Sequence, residues 1–114
     1  MSAAIFSPDA TSVVADWNDL VEATPDATVT KTLYDSPAAR LVLFAMDAGQ
    51  QLTDHSAAKP ALVHVLDGTI EFDVSGAKHE LRSGGWVAMP AGELHAVRAV
   101  EPARFLLTLL KGTS

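Results

Sequence analysis

Turn signals recur every eight to twelve residues from position 27 onward, and no segment between them carries a helical apolar face. Asp35-Ser36-Pro37, Ala48-Gly49, Asp67-Gly68, Ser75-Gly76 and Ser83-Gly84-Gly85 mark the reversals. Between and after them lie apolar or alternating segments at 29–34, 41–46, 61–66, 69–74, 78–82, 86–89, 94–100 and 103–110. That is a set of about eight strands with no helix between them, which restricts the chain to an all-β sandwich or barrel. Residues 69–74 alternate without a fault, directing Ile70, Phe72 and Val74 inward. Residues 41–46 are apolar on both faces, the pattern of a strand covered on both sides.

The first 26 residues read differently. Ser7-Pro8-Asp9 has the form of a helix start, with Ser as cap and Pro in the first turn. Asp16 and Asp19 give a weaker one, followed by Trp17, Leu20 and Val21 on one face. We therefore expect a short helical arm over residues 1–26, packed against a single barrel domain over residues 27–114.

Composition narrows the function. The chain has 114 residues and a net charge of −6, with no cysteine. Thiolate metal sites, disulfides and cysteine nucleophiles are thereby excluded. Eight of the acids fall in residues 1–54 beside two bases, and residues 55–114 hold six of each. Such a distribution lacks the basic stripe of a nucleic-acid surface. Residues 1–9 carry no basic n-region, and the uninterrupted apolar runs are far shorter than the ~20 residues of a membrane helix. A soluble, cytoplasmic protein with no membrane partner is the expectation. Serine-nucleophile elbows, phosphate loops, zinc-protease helices and dinucleotide fingerprints are all missing.

Two spacings carry the chemistry. Gly84 is followed by Pro90, Gly92 and His95 in G-G-W-V-A-M-P-A-G-E-L-H. Upstream, Gly49, His55 and Gly68 stand at fixed separations. The first set resembles the second cupin motif, G-x5-P-x-G-x2-H-x3-N, at four of five positions. The second set resembles the first cupin motif, G-x5-H-x-H-x3,4-E-x6-G, at three of five. With 15 residues between the motifs, the likeness spans about residues 27–110 and is to small single-domain cupins of the RmlC-like type. It implies a double-stranded β-helix, a jelly-roll barrel closed around a pocket into which His55 and His95 project. Many small cupins pair, so the likeness also implies a homodimer, with a second subunit over the apolar outer faces at 41–46 and 105–110.

The ligand set is degenerate. Metal-binding cupins supply two histidines and a glutamate from the first motif and one histidine from the second. Here Ala57 and Ala61 stand at the second histidine and the glutamate positions. His55 and His95 remain as candidate metal ligands, as an acid/base pair, or as hydrogen-bonding groups for a bound molecule. With Val63, Phe72, Met89 and Val97 around them, the pocket is expected to be drier than in metal cupins. It should suit a small apolar or weakly acidic molecule with little or no catalysis and no tightly bound metal. The alternative is a metal-dependent dioxygenase- or isomerase-like enzyme holding Fe, Mn, Ni or Zn, its ligand set completed by Gln51, Asp54 or water. Alternation turns His64 away from the pocket, and His79 reads as a surface residue between Lys78 and Glu80. Trp86 fits either a pocket wall or ordinary packing. Arg98 and Arg104 read as solvated strand residues before anion ligands.

Overall fold

The computed structural model describes residues 4–112. The first three residues of the expected arm and the last two of the expected barrel lie outside them. Among the described residues there are nine strands: β1 (Thr28–Asp35), β2 (Ala39–Met46), β3 (Gln51–His55), β4 (Ala61–Asp67), β5 (Thr69–Val74), β6 (Ala77–Arg82), β7 (Trp86–Met89), β8 (His95–Ala99) and β9 (Ala103–Leu110). They form a five-stranded sheet in the order β1-β2-β9-β4-β7 and a four-stranded sheet in the order β3-β8-β5-β6. Every pairing is antiparallel, and the chain crosses repeatedly between sheets, as in a jelly roll. No helix of the described residues is long and apolar enough to cross a membrane.

Alternation explains what lies inside. Val63, Val65, Ile70, Phe72, Met89, Val97 and Phe105 are buried between the sheets, and the rings of Phe44 and Phe105 stack with centroids 4.7 Å apart. Fully burying a side chain of this size stabilises the fold by roughly 1.5–3 kcal/mol. Two reversals depend on left-handed backbone. Ser75 and Gly76 adopt φ of 48° and 90°, the form of a two-residue hairpin turn, and Asp73 accepts a hydrogen bond from the Gly76 N–H. Gly68 joins β4 to β5 at φ 76°.

The ninth strand, β3, is absent from the sequence reading. Gln-Leu-Thr-Asp-His holds one aliphatic residue, so it shows no alternation, and a register irregularity between Leu52 and His55 interrupts it further.

The arm is not the expected helix. Among its described residues the one helical piece is a single 3-10 turn, Trp17–Asp19, capped by the Asp16 carboxylate, which accepts from the Asn18 N–H at 3.0 Å. Ser7 does accept from the Asp9 N–H, but the turn stops there. Thr11, Ser12, Val13 and Val14 follow, residues of modest helix propensity. The competing attraction is tertiary: Ile5 and Phe6 donate backbone hydrogen bonds to the Thr32 and Leu33 carbonyls of β1.

The arm covers the outer face of the larger sheet. Phe6, Trp17, Leu20 and Val21 pack on Leu33, Leu41, Leu43, Ala45 and Leu106. Over Leu43 and Ala45, both fully buried, the cover assigned in sequence to a second subunit is thus the chain's own N-terminal segment. Arg104 clasps it, donating to the Val21 carbonyl at 2.8 Å and pairing with Asp67, its register partner on β4.

Candidate functional site

His55 closes β3 and His95 opens β8, and the ladder sets them directly opposite each other. Their ring centroids lie 4.2 Å apart, with the planes tilted by 59°. Each ring is held in the same way. Nδ1 of His55 donates to the Thr53 carbonyl at 2.9 Å, and Nδ1 of His95 donates to the Glu93 carbonyl at 3.0 Å. A carbonyl can only accept, so a neutral imidazole in this bond carries its proton on Nδ1 and presents Nε2 as an acceptor. His95 is buried and rests on Phe72, whose ring lies 5.8 Å away and nearly parallel. His55 is exposed. One imidazole is therefore fixed by packing, and its neighbour faces solvent.

Not all of the expected pocket residues form an open lining. Val63, Phe72 and Val97 are buried in the packed interior, and of the three Phe72 lies against the ring of His95. Met89 is buried opposite Ala61, its cross-strand partner, beside the position from which the glutamate side chain is missing. Met89 also reaches an open cleft of about 360 Å³ lined by Val74, His79, Leu81, Trp86, Val87, Ala88 and Glu93. The cleft adjoins the pair through two connections. Val74 is the register partner of His95, and Glu93 supplies the carbonyl that anchors the His95 ring.

His79 belongs to this cleft, a role absent from the sequence reading. Its register partner is Phe72, so it stands on the inward face of β6 although it is exposed. The signal was available: faultless alternation through β5 and a two-residue turn place position 79 opposite 72. Trp86 is 59% exposed and forms one wall, which separates it from the core. His64 is exposed on the outer face, opposite Trp86 and Leu106, as alternation requires.

The suggested third ligands lie elsewhere. Gln51 and Asp54 line an open groove with Glu71, Asp73, Lys78 and Arg98. Gln51 pairs with Arg98, one residue out of phase with the inward Leu52–Val97 pair, which turns it to the outside of the four-stranded sheet. Arg98 and Lys78 both approach Glu71 there, at 3.8 and 3.9 Å. Arg104 holds the arm rather than standing solvated.

The profile of the cupin domain family matches residues 42–109, more than half of the chain. This chain is a cupin. Solved structures agree. A conserved protein of unknown function, SPY1581 from Streptococcus pyogenes, is 27% identical, with a TM-score of 0.84 over 99% of this chain and 98% of that one. An RmlC-like cupin protein from Desulfovibrio desulfuricans is 26% identical, with a TM-score of 0.79 over 89% of this cupin and 98% of that chain. KdgF from a Halomonas species, 23% identical, shares the fold with a TM-score of 0.70 over 86% and 89% of the two chains. Among curated protein sequences, no relative of this cupin is found.

Cupins often hold a divalent metal, and the donors present here can be tested for that role. Among the described residues, no group of three or more His, Cys, Asp or Glu side chains is placed to hold an ion. Two imidazoles are two donors where three or four protein ligands are usual. Ala57 and Ala61 contribute none, and Gln51 and Asp54 belong to the outer groove. This donor set does not fit a resident divalent metal.

Proposed function

We propose that this cupin is a small stand-alone, cytoplasmic binding protein that takes a small organic molecule at the His55–His95 pair, with little or no catalysis. The observation that carries this reading is the matched tethering of the two adjacent rings, which leaves each Nε2 free to accept while Phe72 stacks on His95. Paired acceptors favour a ligand that donates hydrogen bonds, and the neighbouring apolar cleft offers room for its body. A weakly acidic hydroxyl or an amine satisfies both demands; a heavily hydroxylated sugar leaves polar groups against Val74, Leu81 and Met89.

The test uses untagged protein. Metal content is measured for the wild type and for the His55→Ala/His95→Ala double variant, followed by calorimetric binding of a panel of small phenols, alcohols, amines and carboxylates. The reading expects substoichiometric metal and at least one ligand whose affinity falls about tenfold or more in the double variant. Stoichiometric metal that disappears with the histidines would overturn it in favour of a metal enzyme.

We also propose a homodimer. Leu110 is 40% exposed and lies outside the cluster the arm covers, and His64 is exposed on the same outer face. Sedimentation of the wild type and Leu110→Lys, a substitution outside the ligand cleft, tests it. A dimer in the first and a monomer in the second is expected; a monomeric wild type contradicts it.

A further inference from the structure

The cleft beside the histidine pair has a one-sided chemistry. It runs along β7, which pairs only with β4, and faces β6, which pairs only with β5. The two sheets leave a seam here. Its floor is apolar: Val74, Leu81 and Val87 pack on the core, and Met89 is part of it. Its wall is the exposed Trp86, and its polar lining residues are His79 and Glu93. Neither Lys nor Arg lines it. Among the described residues the Glu93 carboxylate has no ion-pair partner, in contrast to Glu71, Glu80, Asp35 and Asp67. Glu93 is only partly exposed, so its charge is less screened than a fully solvated one.

We propose that this cleft binds an organic ammonium, with the cationic end at Glu93 and the apolar body against Trp86 and Met89. This rests on the small-molecule reading above and names the ligand class for it, an ammonium having hydrogens enough to donate both to Glu93 and to the Nε2 acceptors of the pair. A carboxylate with no internal cation, beside an aromatic wall and over an apolar floor, is complementary to a protonated amine on a hydrocarbon body. A carboxylate ligand meets like charge at Glu93 and no compensating base. A neutral alcohol keeps the apolar contacts and can donate one hydrogen bond to the carboxylate, but it loses the ion pair. The net charge of −6 draws cations toward the molecule at low salt.

Three probes with one body separate these cases: 2-phenylethylamine, 2-phenylethanol and 3-phenylpropanoate. Each is titrated by calorimetry and by amide and indole NMR into the wild-type protein and Glu93→Gln. The substitution keeps the backbone carbonyl that anchors His95. The amine is expected to bind about tenfold more tightly than the alcohol, and the carboxylate most weakly. Its titration should move the Trp86 indole and Val74 signals. Glu93→Gln should bring the amine close to the alcohol's level and weaken the alcohol several-fold less than the amine. If the alcohol binds as well as the amine and still depends on His55 and His95, the ammonium inference fails and the pocket reading survives. An amine that leaves Trp86 and Val74 unmoved at about 10 mM overturns the inference as well. If no member of the wider panel binds in a histidine-dependent way, the pocket reading fails with it.

Discussion

His55 and His95 are cross-strand partners whose rings, 4.2 Å apart, are each tied through Nδ1 to the carbonyl two residues earlier in the chain. The pair is symmetric in hydrogen bonding and asymmetric in burial. That asymmetry separates stability from binding. His95 is packed on Phe72, so His95→Ala should lower stability by about 1–3 kcal/mol. His55 is exposed, so His55→Ala should stay within about 0.5 kcal/mol of wild type while still weakening the ligand. Urea unfolding of both variants checks the split; equal losses would contradict it.

The clasp between barrel and arm gives a second prediction. Arg104 bonds both the Val21 carbonyl and Asp67, and its side chain is 15% exposed. Arg104→Met should cost roughly 1.5–3 kcal/mol, because both bonds involve the charged guanidinium. The corresponding fall in Tm is about 4 °C per kcal/mol for a domain of this size. Limited proteolysis between residues 8 and 20 should accelerate in the variant. An unchanged Tm and cleavage rate would mean that the arm is held by its apolar contacts alone.

Two glycines of similar backbone conformation should respond differently to alanine. Gly68 and Gly84 have φ of 76° and 88°. A Cβ at Gly68 would lie 2.2 Å from the Pro102 carbonyl oxygen, a backbone atom, whereas one at Gly84 meets nothing within 4 Å. Gly84→Ala should therefore cost about 1–2 kcal/mol of backbone strain, and Gly68→Ala that strain plus about 1–3 kcal/mol of overpacking. Thermal melts of the two variants provide the comparison, with Gly68→Ala expected to be the less stable.

At the end of β1, Asp35 is held below the usual carboxylate range by its hydrogen bond from Lys111, with the charges of Lys111 and Arg40 adding to the effect. A carboxyl whose pKa is depressed on folding contributes stability above its unfolded pKa and loses it as pH falls through the folded value. The contribution is thus present at neutral pH and disappears in acid. Lys111→Met should return the Asp35 midpoint, followed by carboxyl NMR, toward the ordinary value. A midpoint unmoved by the substitution would remove Lys111 as the cause.

Alternation made much of this architecture legible. It places Ile70 and Phe72 inside and turns His64 outward, whereas the meeting of His55 and His95 is legible only through the resemblance of the motifs. It fails where a segment is too polar or too irregular to display a period. Gln51–His55 is such a segment: Gln51 is turned out by its phase against Leu52, and the irregular register after Leu52 sets His55 rather than Asp54 opposite His95. His79 sits between Lys78 and Glu80 and looks like surface, because its inward face is set by pairing with Phe72 rather than by its neighbours. Ser7-Pro8-Asp9 carries a genuine local cap, but Ile5 and Phe6 bind β1 and the apolar arm residues bury themselves on the sheet. Tertiary contacts, not local propensity, decide the arm's form.

The central claim is that His55 and His95 act together as hydrogen-bond acceptors for an organic ligand. Long-range proton–nitrogen NMR of the two rings, recorded at pH about 8 through a titration with the tightest binder of the panel, tests it most directly. Both rings should begin protonated on Nδ1. Both Nε2 resonances should then move together and saturate, with the Nδ1 protons retained. Rings protonated on Nε2 at the outset, or Nε2 resonances that stay fixed while the ligand binds, would contradict the claim.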